Sequence, residues 1–271
     1  MQYKITYVAP KRYTIGGFGV MFKEVIYDLF CLSQTTEIKN FYVDWTNKNI
    51  PYYDINKGDN VWGYYFHNNK KENELTDYCN TIKPNLDSTH LDKVFINMNH
   101  DTPIDKNKIY QLNETYKKYI HIKDEILKNV DDYSFKNFTG NTLGVQYRYT
   151  DKIKEVNQIT PTKLINIIRN CVGDYDTIFI ATDYQPVIDE LTKLSKKIKF
   201  NDIVRSSNST GSHFLKNDRE YDNYLKGYEC LIDILMLSKC DDYYYSKSNI
   251  SLIPLIINNM SYNYIKLINN L

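Results

Sequence analysis

The chain has 271 residues and a formal net charge of +1. That is length for one large domain or two small ones, and it gives no field that would draw in nucleic acid or an anionic membrane. The five cysteines, Cys31, Cys79, Cys171, Cys230 and Cys240, are odd in number and form no C-x-x-C pair, so they read as reduced thiols of a cytoplasmic protein. No run of eighteen apolar residues occurs, and the opening MQYKITYVAP is short and polar, so neither a membrane span nor a signal peptide is expected.

In chain order, Tyr3 to Val8 sets Tyr3, Ile5 and Tyr7 on one face and reads as a first strand. Gly16-Gly17-Phe18-Gly19 follows. Val20 to Leu32 then places Val20, Val25, Leu29 and Leu32 on a helical face. Strand, glycine loop and helix can receive a phosphate, because bare amides at a helix N-terminus attract anions. Most such loops merely turn the chain. Ile38 to Trp45 and Val61 to Phe66 read as strands, Lys70 to Tyr78 as a helix and Lys93 to Asn97 as a short buried strand. His100-Asp101 is an acid/base pair or the start of an ordinary Asp-Thr-Pro turn. Asp105 to Asp131 is one long helix or two shorter ones. Asp132 to Asn141 reads as a linker, which divides the chain into 1–135 and 136–271.

The second half alternates strands (Leu143 to Tyr147, Asp176 to Ala181, Ile198 to Val204, Asp242 to Ser246) with helices. These start after Thr160, with Pro161 at the first position, and cover Gln185 to Ser195, Asp222 to Leu237 and Asn249 to Asn258. The alternation predicts an α/β fold with a parallel sheet. Thr142 to Glu155 is the most informative stretch. Its strand leads into a loop carrying Arg148, Asp151, Lys152 and Glu155, and open α/β sheets bind ligands outside the carboxyl ends of their strands. The Arg148 fork matches a phosphate, or else a nearby carboxylate. Asp151, Lys152 and Glu155 form an acid/base set or a salt-bridged loop. Asp183 either binds a ligand or caps the helix containing Pro186. Asp233 lies within Leu231-Ile232-Asp233-Ile234-Leu235, where a carboxylate needs a partner, either a ligand or an ion pair such as Lys226. Ser246-Lys247-Ser248-Asn249 opens the last helix, and Ser248 suits a phosphate or a plain N-cap. His213 is acceptor-side or a surface residue. The one Asp-x-Asp, Asp174-Tyr175-Asp176, precedes its strand, at the end away from the charged loop, so no metal site is expected.

Three stretches, in this order and at this spacing, carry a family resemblance. They are Gln146-Tyr147-Arg148-Tyr149-Thr150-Asp151-Lys152, Ile178 to Asp183, and Gly227 to Ser238 followed by Asp242 to Ser251. Together they resemble the donor-binding half of fucosyltransferases, most closely the α1,6-fucosyltransferases and the rhizobial nodulation fucosyltransferases. The family pattern His-x-Arg-Arg-Thr-Asp-Lys is matched at Arg148, Thr150, Asp151 and Lys152, while Gln146 and Tyr149 depart from it. Gly17-Phe18-Gly19 matches the end of the family's glycine loop, with Ile15 at its first glycine.

The resemblance implies a GT-B-like fold of two Rossmann-like domains, with the donor site in the C-terminal domain and the acceptor side in the N-terminal one. It implies an inverting, metal-independent glycosyltransferase without a cofactor. Such an enzyme moves fucose from GDP-fucose to an oligosaccharide or glycoconjugate acceptor. By the same resemblance Gly17, Phe18 and Gly19 lie against the donor nucleotide, and Arg148 and Ser248 at its phosphates. Asp183 lies near the nucleoside, with Tyr184 replacing a second acid, and Asp233 binds the guanine edge. Glu155, one residue earlier than the family spacing, or Asp151 is the base, with Lys152 beside it. Tyr149 leaves open a different nucleotide sugar, and the shifted Glu155 a catalytically silent nucleotide- or glycan-binding protein.

Overall fold

A computed structural model describes residues 4–8, 17–34, 37–38, 40–68, 79–80, 105–154 and 157–270. Gly16, the helix expected over 70–78, the strand expected over 93–97, His100, Asp101 and Glu155 lie outside the described residues. The chain divides into two compact units, Met1–Ile126 with Asp218–Tyr228, and Leu127–Asn217 with Glu229–Leu271.

In the first unit, β1 (Lys4–Val8) pairs in parallel with β2 (Asn40–Asp44) on one side and β3 (Cys79–Asn80) on the other. Helix α1 (Phe18–Ser33) begins at Gly17 and is buried along most of its length. Val61 to Phe66 is not a strand. Trp62–Tyr65 is a single helical turn, α2. Its run Val61, Trp62, Tyr64, Tyr65 and Phe66 is buried without alternation, so the residues serve an aromatic core and not one face of a sheet. Asn60 Oδ1 accepts from the amides of Trp45 and Trp62, both at 3.1 Å, and starts the turn. In that core Trp62 stacks on Phe66 with ring centres 4.0 Å apart, and Phe18 meets Tyr52 and Tyr65 edge-on at 5.5 and 5.3 Å. The stretch from Asp105 forms two helices, α3 (Lys106–Tyr119), capped by the Asp105 carboxylate, and α4 (Asp124–Asn137), whose residues from Leu127 on belong to the second unit and which continues through 132–137, expected to be linker.

The second unit is a five-stranded, wholly parallel sheet. Its strands are β4 (Thr142–Tyr147), β5 (Thr177–Thr182), β6 (Ile198–Lys199), β7 (Asp242–Tyr245) and β8 (Tyr264–Leu267), in the order β6-β5-β4-β7-β8. Every residue of β4 and β5 is buried, as expected for strands covered on both faces. The connecting helices are α5 (Pro161–Cys171), α6 (Gln185–Leu191), α7 (Asp222–Leu237), which belongs to this unit from Glu229 on, and α8 (Leu252–Ile257). Thr160 caps α5 by accepting from the Lys163 amide at 3.2 Å. The extended piece expected over 198–204 shrinks to two residues, and the last helix opens as a 3-10 turn, Asn249–Ser251. Strand β8, at the sheet edge and with none of its residues fully buried, is not expected from the sequence pattern.

The strand order places a topological switch point at β4. Its successor β5 lies on one side and β7 on the other, so the loops leaving β4 and β7 diverge and open a crevice at their carboxyl ends. At the opposite end, Gly140 adopts a left-handed φ of 56°, and an added Cβ would lie 2.0 Å from Asp176 Oδ2. Asp176 is occupied there as an acceptor for the Asn141 amide at 2.9 Å. Gly140→Ala is expected to destabilise the protein by about 1–2 kcal/mol through the left-handed backbone alone, read as a lower melting temperature.

Candidate functional site

The switch-point crevice is built around Arg148, the first residue after β4. Its amide donates to Ser246 Oγ, just past β7, at 3.0 Å. Its guanidinium is 17 % exposed and is shared by two carboxylates. Nε lies 2.8 Å from Asp183 Oδ2, and Nη2 lies 2.8 Å from Asp151 Oδ1. Both residue-level alternatives for Arg148 therefore meet at one place. It is a paired arginine, and it stands where an open sheet binds ligands.

Asp183 does not cap α6, whose N-cap is Tyr184 with no side-chain bond. Its carboxylate turns to the 148–150 loop instead. It accepts from the Tyr149 amide at 3.0 Å and from the Thr150 hydroxyl, besides Arg148. Asp151 starts a 3-10 turn, Asp151–Lys154, with Lys152 half-buried beside it. Burial pushes the Asp151 carboxyl up. The Arg148 guanidinium, with smaller help from His213 and Thr150, outweighs this and holds it below the ordinary carboxylate value. His213 is buried and its Nδ1 lies 3.4 Å from Arg148 Nη2, so it meets the crevice and not the surface. Gly211 allows this approach, since a Cβ there would lie 2.8 Å from His213 Cε1 and 3.1 Å from Asp151 Cγ.

Gln146, at the family's histidine position, is the hub of a buried hydroxyl network. Its Oε1 accepts from Ser246 Oγ at 2.9 Å and from Ser251 Oγ at 2.5 Å, and Ser251 Oγ lies 3.2 Å from Ser248 Oγ. Ser248 takes the N-cap position of the 3-10 turn without a side-chain cap. Two aromatic residues of the crevice loops also meet. The rings of Tyr149 and Tyr184 lie 4.9 Å apart and pack against the hydrophobic core. An aromatic contact thus links the loops after β4 and β5, and Tyr149 brings no charge to the crevice.

Asp233, on α7, is 7 % exposed, and its Oδ1 accepts from Asn201 Nδ2 at 2.6 Å. Lys226 is not its partner; that ammonium pairs with Asp222 at 2.8 Å. Burial raises the Asp233 carboxyl to about 7, against the pull of the Arg205 charge and the Asn201 bond. Arg205 donates to the carbonyls of Asn201, Thr182 and Ile203 at 2.6, 3.2 and 3.3 Å, which ties the end of β5 to the following loop. Sequence reasoning missed both Asn201 and Arg205; the signal was a cation and an amide just past a short strand. The Cys230 thiol, one turn before Asp233, is pushed up to about 12 by burial and by Asp233, against the Arg148 charge.

Gly17, Phe18 and Gly19 belong to the first unit. The Phe18 side chain is 1 % exposed within the aromatic core, and its amide donates to the Tyr52 hydroxyl at 2.6 Å. Its ring is a core anchor, and any ligand would have to meet backbone here. Among the described residues no group of three or more His, Cys, Asp or Glu side chains is placed to hold a metal ion, and no helix is long and apolar enough to cross a membrane.

No family model matches the chain, and no curated protein matches it in sequence. Solved structures do match in fold. A NodZ α-1,6-fucosyltransferase soaked with GDP-fucose is similar with a TM-score of 0.58 at 13 % identity, over 95 % of this chain and 93 % of that one. The selenomethionine form of NodZ from Bradyrhizobium also gives 0.58, at 12 % identity over 98 % and 94 %. POFUT1 in complex with GDP gives 0.51 at 11 % identity, over 97 % of each chain. The chain therefore has a fucosyltransferase-like fold along nearly its whole length.

Proposed function

We propose that the protein is an inverting glycosyltransferase that moves fucose from GDP-fucose to a glycan acceptor. The observation that carries this reading is the Arg148 guanidinium at the switch point, fixed by a buried carboxylate and backed by a seryl network. In such a transfer the acceptor oxygen attacks C1 of the sugar. The bond from C1 to the β-phosphate oxygen breaks, and its electron pair stays on GDP. Arg148 would stabilise that growing charge, since preorganised donors act most strongly where charge develops. The acceptor proton would pass to a carboxylate, Glu155 or Asp151. While paired with Arg148, Asp151 is a weakened base, for the same reason that its carboxyl is held low.

In this reading the overall architecture is GT-B-like. The second unit binds the donor through Arg148, Asp183, Asp233 and Ser248, and the first unit supplies the acceptor side. The free thiols Cys31, Cys171, Cys230 and Cys240 suit a reducing compartment such as the cytoplasm. Calorimetric titration with GDP, GDP-fucose, UDP and dTDP tests the donor, and turnover on a panel of oligosaccharides tests the reaction. Tight GDP binding without turnover would leave a binding protein; preference for another nucleotide would replace the donor.

Cationic and hydroxyl donors hold the diphosphate in this reading, so turnover is expected to be unchanged by a chelator. Loss of activity with chelator, restored by magnesium or manganese, would overturn that part.

A further inference from the structure

The two carboxylates that share Arg148 are not equivalent. Asp183 has a side chain 6 % exposed, stands at the end of β5, and accepts from three consecutive residues. Asp151 is 26 % exposed and lies on a single 3-10 turn. It meets the guanidinium through one oxygen, Oδ1, at 2.8 Å from Nη2 and 3.3 Å from Nε. The Thr150 hydroxyl has one proton, and Asp183 is its nearer acceptor, so its 3.1 Å approach to Asp151 adds little. A single anionic oxygen on the Nη2 edge is the contact that a non-bridging phosphate oxygen makes with arginine.

We propose that Asp151 is an internal place-holder for the donor diphosphate. A phosphate oxygen takes the Nη2 edge and Asp151 turns off it, while Asp183 keeps Nε throughout. The inference rests on the proposed role of Arg148 at a diphosphate. No covalent bond changes; one ion pair replaces another. The displaced carboxylate is exposed enough to be hydrated, whereas Asp183, released in the same way, would be stranded in a buried site. His213 Nδ1, 3.4 Å from Nη2, stays beside it.

Two isosteric substitutions should therefore act in opposite directions. Asp151→Asn removes the competitor and is expected to tighten binding of inorganic pyrophosphate and of GDP by about three- to tenfold, in keeping with a partly exposed ion pair. Asp183→Asn removes the anchor and is expected to weaken both by about tenfold or more. The experiment is calorimetric titration of pyrophosphate, and separately of GDP, into wild type, Asp151→Asn, Asp151→Ala and Asp183→Asn, with a melt of each. Asp151→Ala covers the case in which the Asn variant fails to fold. Pyrophosphate carries no base, so its result does not depend on guanine recognition. A gain for pyrophosphate without any GDP preference would support the place-holder and remove the GDP reading. Equal or weaker pyrophosphate binding by the folded Asp151 variants, or a gain by Asp183→Asn, would overturn the proposal.

Discussion

Arg148→Lys is expected to lower transfer from GDP-fucose by about 10²- to 10³-fold, the usual loss for one preorganised donor aimed at transition-state charge. Lysine keeps the charge but not the fork. A guanidinium can hold Asp183 through Nε while presenting Nη2 to an incoming anion, and an ammonium is one point that must choose. The fold should survive, because Asp183 keeps its bonds from the Tyr149 amide and the Thr150 hydroxyl. Steady-state kinetics and a melt of both proteins check this. Retention of more than about a tenth of the activity, a loss under ~1.4 kcal/mol of barrier, would show that the fork is not needed.

The second expected result concerns Asp233, and its pH dependence has an unusual sign. A carboxyl raised to about 7 in the fold and ordinary when unfolded binds more protons in the native state between about pH 4 and 7. Its contribution to stability is present at the acid end of that window and is lost as pH rises through 7. The melting temperature should therefore fall toward neutrality more than in Asp233→Asn, whose curve flattens. Guanine recognition runs the other way. Its N1–H and 2-amino group are both donors and need the ionised carboxylate, so GDP affinity relative to UDP should rise from pH 5 to 7 and level off above. At pH 7.5 Asp233→Asn should weaken GDP by roughly 1.5–3 kcal/mol, the range for hydrogen bonds to a charged group, and leave UDP nearly unchanged. UDP carries the same diphosphate, so comparison with it cancels phosphate titration. Equal loss for both nucleotides, or none for GDP, would take Asp233 out of the site.

The crevice was legible because a fully buried strand has to hand its charge to its carboxyl end. The run 143–147 fixed where Arg148 and Asp151 emerge, and the β/α alternation implied that Asp183 and Ser246 emerge beside them. The partners of these residues were less legible. Asp183 reads equally as a helix cap until the 148–150 loop folds against it. The suggested Lys226 partner for Asp233 follows from spacing along one helix, yet Asn201 comes from another segment, and only tertiary structure joins them. Val61 to Phe66 has the aromatic composition of a strand, but the Asn60 side chain, which accepts from the Trp45 and Trp62 amides, and a ring cluster decided for a helical turn. The glycine loop pointed to a ligand at Phe18, and packing drew that ring into the core.

The central place of β4 also bears on how the chain is made. Its partner on one side, β5, follows after a single helix, but β7 is about a hundred residues downstream, roughly 5–20 s of synthesis. Until then β4 is an edge strand whose backbone groups on that side are unpaired and whose apolar side chains lack their final cover. Parallel pairings across such separations form slowly and expose aggregation-prone surface meanwhile. Chains truncated before Asp242 should accordingly be recovered as aggregates or in complex with chaperones, even though Arg148, Asp151 and Asp183 are all present in them.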